Sequence, residues 1–552
     1  MAVPFRREKI SAVDTAWLRM DRPHNLMMIC GVIIFRERVD FARLKRAVEE
    51  RFLVFRRFRQ RAVEHPGYAV WETDRDFDID RHAVHIALPG RAGKRELQTL
   101  VSRLAATPLD PARPMWQYHL VENYRGGSAL IVRIHHSYAD GIALVRVLLS
   151  MTDAGRDGPP AMPFSPPKRK SRPADESALA ALIGPVSGVM KTAMHVGSLL
   201  VERGAELWQD PTKAVALANQ GTAITTELAK LALMGEDSRT RFKGRPGPSK
   251  RVAWTDALPL DEVKAVGRAL GASVNDVLLS SVAGALRAYL RNKGDATEGV
   301  VVRALVPVNL RPIERAYKLG NQFGLVFLDL PIGIENPVER VHAVRANMSE
   351  LKGSYQPVLA LGLLAAMGSG PRLLQEALLT ALARNATAVM TNVPGPQQPL
   401  YLAGAPIDSL MFWVPQSGDI GVGVSIISYS GAVYFGLISD RKLCPDPEKV
   451  IGEFPREFEK LVLTTLMAAW PRTEPLTPED AAQAIASPGG APPSPPATGT
   501  TDGKPRAARG ARKRPAAGAA ARPRKTKAGP AAPEPSAPVA TARRRKAKAA
   551  RR

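Results

Sequence analysis

The sequence predicts an α/β protein of two units with mixed sheets, joined by a linker and helices and followed by a disordered basic tail. Three observations predict it. Strand-length apolar runs alternate with helical-period segments over residues 1–155 and again over 251–475. The stretch 157–175, DGPPAMPFSPPKRKSRPAD, interrupts that alternation with proline and charge, so 156–250 reads as a linker with connecting helices. From residue 486 to 552 the chain is rich in Ala, Pro, Gly, Lys and Arg and lacks the apolar content to fold. At 552 residues the chain is too long for one ordinary core.

In the first unit, Ser11 with Asp14 three residues on resembles a capping box at a helix start. Leu26–Phe35 is an apolar run of strand length, and Phe41–Phe55 has helical spacing. Ala129–His136 reads as a strand, and Ile142–Met151 as the helix after it. Residues 176–235 have a helical pattern rich in Ala, Leu, Val and Met, and Thr240–Arg251 is a second break. In the second unit, Leu260–Leu270 and Val274–Leu290 read as helices. Val300–Val308, Phe323–Leu330, Ala388–Val393, Ile420–Ser428 and Ala432–Ile438 read as strands. Pro394-Gly395-Pro396 reads as a rigid turn.

The formal net charge of +25 is uneven: residues 501–552 hold 17 Lys/Arg against 2 Asp/Glu, leaving 60 against 50 in the rest. A tail of this composition can hold polyanions or an anionic membrane surface without sequence specificity, since it has no aromatic residue to stack on bases. Two cysteines, Cys30 and Cys444, make neither a disulfide framework nor a zinc cluster, and no metal is expected. The N-terminal MAVPFRREKI has no apolar signal core, so a cytoplasmic site is expected. The best candidate span, Lys352–Arg372, is broken by Pro357, Gly362, Gly368 and Gly370, so membrane contact is expected to be peripheral.

The chemistry sits in His135-His136-Ser-Tyr-Ala-Asp140-Gly141, at the end of a strand. A strand alternates its faces, so Leu130, Val132, Ile134 and His136 share one side and Ile131, Arg133 and His135 the other. His136 therefore ends the more apolar side, where loss of solvent keeps an imidazole neutral, as a general base must be. Asp140 and Gly141 form the turn into the next helix; Asp140 can accept backbone hydrogen bonds, and Gly141 permits close approach or positive φ.

These residues resemble the HHxxxDG signature of coenzyme A-dependent acyltransferases of the chloramphenicol acetyltransferase-like superfamily. Further segments resemble one branch, the bacterial wax ester synthase/acyl-CoA:diacylglycerol acyltransferase family. They are Ser11-Ala-Val-Asp14-Thr-Ala-Trp17-Leu18, Pro114-Met115-Trp116, Asn275-Asp276-Val277-Leu278-Leu279, Pro307-Val308-Asn309-Leu310-Arg311, Gly320-Asn321-Gln322 and Thr391-Asn392-Val393-Pro394-Gly395-Pro396.

The resemblance implies two chloramphenicol acetyltransferase-like domains with the active site between them. It also implies His136 as catalytic base beside His135, and a structural Asp140. A fatty acyl-CoA donor is a substrate, so no cofactor is called for. The acceptor is implied to be a diacylglycerol or a long-chain alcohol, met at a membrane or lipid-droplet surface. Direct transfer is expected, because no Gly-x-Ser-x-Gly nucleophile elbow stands out. Asn275 is a candidate to meet the oxyanion or hold His136, and Asn275-Asp276 reads equally as a helix-start pair. Pro114 and Trp116 read as packing that shapes the pocket wall. Arg303, Arg311, Lys318 and the basic stretch Arg241–Arg251 are candidates for coenzyme A phosphates. Val358–Leu382, with Leu374, Leu378 and Leu382 at helical spacing, is a candidate acyl-channel wall. Two rival readings are a peptide-bond-forming condensation domain, which shares HHxxxDG, and a non-enzymatic protein bridging lipid bodies and DNA.

Overall fold

A computed structural model describes residues 6–66, 68–161, 230, 234–310, 319–352, 354, 356–369, 375–376, 379–380, 383–468 and 475–480. Contacts divide the chain into two units, Met1–Ala491 and Pro492–Arg552, and every described residue belongs to the first. Most of the expected linker and connecting helices, with the whole tail, lies outside the described residues.

In chain order the first half contributes β1 (Arg7–Lys9), α1 (Ala12–Arg19), β2 (Met28–Phe35), α2 (Phe41–Ala47), β3 (Gln60–His65) and β4 (Tyr68–Thr73). It continues with β5 (Ala83–Ile86), α3 (Lys94–Ala105), β6 (Trp116–Tyr124), β7 (Gly127–His135) and α4 (Gly141–Met151). The second half contributes β8 (Lys250–Trp254), β9 (Leu258–Pro259), α5 (Leu260–Ala269), α6 (Val274–Asn292), β10 (Val302–Asn309), β11 (Phe323–Leu330), α7 (Pro337–Leu351) and α8 (Gln356–Ser369). It ends with β12 (Ala388–Pro394), β13 (Tyr401–Leu402), β14 (Ala405–Trp413), β15 (Val422–Tyr429), β16 (Ala432–Asp440) and α9 (Pro447–Met467).

Two mixed sheets carry the architecture, with a small sheet β1-β4-β3 beside them. One runs β13-β14-β2-β7-β6-β5, antiparallel except for the parallel β5–β6 pair. The other runs β11-β10-β12-β15-β16-β8, with β9 on β16; β10, β12 and β15 are mutually parallel. Residues 401–413, inside the stretch read as the second unit, complete the first sheet: β14 pairs with β2, Trp413 opposite Cys30. The strand can make this crossing because Gly436 leaves room for it. A Cβ there would stand 2.7 Å from Met411 Sδ and 2.9 Å from Trp413 Nε1.

Local chemistry explains the principal helix starts. Asp140, Ser273 and Asn336 cap α4, α6 and α7 through their side-chain oxygens. The predicted capping box at Ser11 is half formed. Ser11 Oγ accepts from the Asp14 amide at 3.1 Å, but the Asp14 carboxylate accepts from Asn321 instead of from the Ser11 backbone amide. Phe41–Phe55 divides into α2 and a π turn over Val48–Phe52. Two large apolar clusters form the core: one is centred on β2, β6 and β7 and reaches across to Trp254, Tyr429 and Ile438 of the second sheet, the other is centred on α6, α9 and β16. Among the described residues no single helix is long and apolar enough to cross a membrane.

Candidate active site

An open cavity, with an empty volume of about 1340 Å³ including the solvent at its mouth, lies between the two large sheets. Ile29, Tyr118, Val132 and Ile134 line it from the first sheet, and Pro307, Phe323, Val389, Thr391 and Ile426 from the second. Val132, Ile134 and His136 all face it, as the strand alternation predicts. The wall is overwhelmingly apolar, the chemistry of a site for hydrocarbon chains.

His136 is held one residue beyond the end of β7. Met28 pairs with His135 across β2–β7, and the His136 amide then donates to Met27 O at 2.7 Å. The ring is 4% exposed, stacked on Trp17 with centroids 4.2 Å apart and tilted against Phe323 at 5.6 Å. Burial pushes its pKa down to about 3, with His135 a smaller cause in the same direction. The side chain is thus a neutral imidazole at the edge of an apolar cavity, able to take a proton from a hydroxyl brought to it.

The neighbours named by the sequence divide into those that hold the site and those that lie away from it. His135 points to the opposite side: Nδ1 contacts Ser137 Oγ at 2.8 Å and Nε2 reaches Asp21 Oδ2 at 3.2 Å, tying down the loop before β2. Asp140 bonds to two main-chain amides. Oδ1 accepts from the Ala143 amide at 2.9 Å and Oδ2 from the Gln322 amide at 3.1 Å, joining α4 to the segment before β11. Gly141 has neither positive φ nor a close neighbour: a Cβ built there meets nothing within 4 Å. The reading of close approach is corrected; the missing side chain leaves cavity space, since Gly141 lines the wall.

Pro114 and Trp116 stand behind the wall. Trp116 is fully buried, its Nε1 donating to Phe58 O at 2.8 Å and its ring meeting the edge of Tyr118. Asp276 closes a capping box with Ser273, which is the helix-start reading. Asn275 is exposed and accepts from Asn392 Nδ2 at 2.7 Å, so it supports a cavity-lining residue instead of bonding to His136.

The basic candidates are largely engaged within the fold. Arg303 Nε pairs with Asp329 at 2.6 Å and Nη1 donates to the carbonyls of Gly235 and Asn385. Arg241 is bound to Asp295, Lys243 to Asp237, and Lys250 Nζ to Asn25 Oδ1. Arg311 and Lys318 lie outside the described residues, as do Leu374, Leu378 and Leu382. None of the described side chains of α8 lines the cavity; Leu364 and Met367 cluster with Trp17 and Phe323.

Three residues assigned no part in the chemistry from the sequence, Trp17, Asp14 and Asn321, surround His136. Trp17 is the surface on which His136 rests. Asn321 Nδ2 donates to both His136 O, at 2.8 Å, and Asp14 Oδ1, at 2.7 Å. Asp14 is buried, and burial raises its carboxyl above the usual range against the lowering effect of these hydrogen bonds. Asp14 and Asn321 are 307 residues apart, so no local pattern points to the contact.

The chain matches the model of the wax ester synthase/diacylglycerol acyltransferase catalytic domain over residues 10–278 and that of the C-terminal domain of the same proteins over 319–462. A Mycobacterium bovis protein with the provisional name diacylglycerol O-acyltransferase is 30% identical over 429 residues, 74% of this chain and 80% of that one. A Mycobacterium tuberculosis protein of the same provisional name is 26% identical over 491 residues, 82% and 90% of the two chains. Among solved structures, the wax ester synthase/diacylglycerol acyltransferase of Marinobacter aquaeolei VT8 shares the fold. Its TM-score is 0.58 at 23% identity, over 83% of this chain and 99% of that one. The starter condensation domain of rhizomide synthetase gives 0.50 at 13%, over 83% and 94%.

Proposed function

Because the chain belongs to the wax ester synthase/diacylglycerol acyltransferase family and is an acyltransferase, we propose that it moves a fatty acyl group from acyl-CoA to the hydroxyl of a diacylglycerol or long-chain alcohol, with His136 as general base. One observation carries this reading: a buried, neutral imidazole on the wall of an apolar cavity between the two sheets.

In the step proposed, the acceptor oxygen attacks the thioester carbonyl carbon while the unprotonated ring nitrogen of His136 takes the hydroxyl proton. The tetrahedral intermediate collapses, the C–S bond breaks, and the departing thiolate takes the proton back from the imidazolium. The products are an ester and free coenzyme A, with no acyl-enzyme. An imidazole of low pKa is a weak base in the empty cavity. The negative oxyanion forming beside it stabilises the imidazolium as charge develops, offsetting burial at the moment of transfer. Apolar walls suit both hydrocarbon chains. The enzyme meets its lipid acceptor as a peripheral protein at a membrane or lipid-droplet surface, and the basic tail adds attraction for anionic lipid of about 1 kcal/mol per basic residue near it.

The test is thiol release from palmitoyl-CoA with diacylglycerol or hexadecanol, for the wild type, His136→Ala and His136→Gln. A positioned base contributes about 10²–10⁴-fold, so both variants should fall by that range while circular dichroism shows a folded chain. A folded His136→Gln protein with wild-type turnover would end the proposal.

A further inference from the structure

Among the described residues, large apolar side chains stand exposed at five positions, and three of them share one turn of α9: Leu463 (57% exposed), Leu466 (71%) and Met467 (43%). Single exposed apolar residues are ordinary, but a cluster marks a surface that meets something other than water. The spacing i, i+3, i+4 puts all three on one side of the helix. Phe454, Phe458 and Leu461 already anchor α9 in the core, so its packing does not account for the outer three.

The stripe has a definite place in the fold. Tyr289 and Lys293, at the end of α6, donate to Asp446 at the start of α9. Midway, Gly284 of α6 faces Glu457 of α9. The two helices are therefore antiparallel neighbours. Leu466 lies nine residues past Glu457 and Asn275 nine residues before Gly284. Both stand roughly 14 Å from that midpoint in the same direction, at one end of the pair. There Asn275 accepts from Asn392 in a solvent-exposed bond, and Asn392 lines the cavity. The cavity wall thus reaches the surface at the end of the helix pair that carries the stripe.

The surroundings add positive charge. Lys460 is exposed one turn before Leu463. Arg268 is exposed at the end of α5, and Arg345 of α7 reaches the Gly271 turn between α5 and α6. Glu459 offsets one of these three charges. The last described segment sits at the same end: the Leu476 amide donates to Ala269 O at 3.0 Å, and Leu476 O meets His342 Nε2 at 3.0 Å. Beyond it in sequence come residues 501–552, with 17 Lys/Arg against 2 Asp/Glu. An apolar stripe with cations beside it, on a chain that also carries a polybasic segment, supplies the two signals that peripheral binding to phospholipid needs.

We infer that this face of α9 docks the protein on an anionic phospholipid surface: Leu463, Leu466 and Met467 enter the acyl boundary, Lys460, Arg268 and Arg345 meet the headgroups, and the lipid acceptor comes to the cavity at its Asn275–Asn392 end. The inference rests on the proposed lipid acceptor.

The experiment floats the full chain with phosphatidylcholine vesicles, with and without phosphatidylglycerol. The wild type should bind both, the anionic vesicles more tightly, and high salt should weaken the anionic binding without abolishing it. The triple variant Leu463→Gln, Leu466→Gln, Met467→Gln should need about tenfold more lipid for half-binding and release fully in high salt. Its urea midpoint should match the wild type, because the three side chains are exposed. The pair Arg268→Gln, Arg345→Gln serves if the triple variant does not fold, and should lose about threefold of the preference for anionic vesicles. At limiting lipid, transfer to diacylglycerol in vesicles should fall with binding, while transfer to hexanol in solution stays at the wild-type rate.

A folded triple variant that binds vesicles like the wild type would overturn the inference. If its sedimentation shows a lost oligomer, the stripe belongs to a second copy; if its urea midpoint falls, the stripe packs against another segment of this chain. Failure of the chemistry reads differently. A wild type that releases no thiol with any acceptor, yet binds vesicles through the stripe, removes the proposed acyl transfer and leaves the docking surface standing.

Discussion

Lowering the pH from 7.5 to 4.5 distinguishes His136 from an exposed histidine, because catalysis and stability should respond differently. The ring's pKa is pushed from 6.5 to about 3, chiefly by burial. That gap of about 3.5 units corresponds to roughly 5 kcal/mol between the two protonation states. Between those values the unfolded chain binds a proton that the native chain refuses, so unfolding free energy rises with pH across the window. As pH falls below 6.5, this histidine alone removes about 1.4 kcal/mol of stability per unit, or nearly 3 kcal/mol by pH 4.5. Burial lowers His119 to about 4 and also lowers His82, which adds to the loss; Asp14, whose carboxyl burial raises, works the other way. The His136 ring should stay largely neutral at pH 4.5 in the molecules still folded. The assay pairs initial rates of quenched thiol release with urea unfolding at matched pH. The urea midpoint should fall steadily below pH 6.5, while kcat/KM, corrected for the folded fraction, stays flat through it. An inflection of kcat/KM near 6.5 with an unmoved urea midpoint would refute the burial argument.

Three further substitutions test other parts of the structure. Gly284→Ala places a Cβ 2.2 Å from Glu457 Oε2 and 2.5 Å from Arg340 Nη2, inside a buried ion pair. Helix propensity favours alanine by about 1 kcal/mol, but overpacking costs about 1–3 and disturbing the buried pair adds to it. Net destabilisation of about 2 kcal/mol or more is expected in urea, and a stabilised variant would show that the site relaxes freely. Gly141→Leu should fold with stability within about 1 kcal/mol of wild type and lose palmitoyl transfer while keeping butyryl transfer, measured by comparing the two thioesters. Arg303→Ala removes the Asp329 pair and two carbonyl contacts. It should lower the urea unfolding free energy by about 2–4 kcal/mol and leave KM for acyl-CoA within twofold; a tenfold rise in KM would restore Arg303 to the phosphate site.

Much of the fold was legible where a segment meets its core through its own periodicity. Phe323–Leu330 and Ala432–Ile438 are strands because alternating or continuous apolar residues suit a buried sheet, and Ile142–Met151 is helical behind its Asp140 cap. The strand β14 was missed. Ala405–Trp413 carries a proline and an aspartate, and only its pairing with β2 makes it a strand. The π turn at Val48–Phe52 has no local signature either. Within the site, the strand-face argument placed His136 on the cavity side, and Asp140, read as an acceptor fixing the turn, is the cap of α4. Trp17, Asp14 and Asn321 stood in motifs, but the contacts that give them their roles arise only when the halves meet.

Taken alone, the amino-acid order determined which residues can do chemistry: a histidine at the apolar end of a strand, an aspartate in the turn that follows, and a family signature spread from Ser11 to Pro396. It could do so because alternation and capping are short-range, set by a few bonds of chain. The folded molecule decided that Asn275 supports Asn392, that Arg303 serves its own sheet, and that Asn321 bonds to His136 O. Those outcomes turn on side chains up to 307 positions apart sharing one dry space. Burial there sets both the proton affinity of the imidazole and which polar atoms are left to find one another.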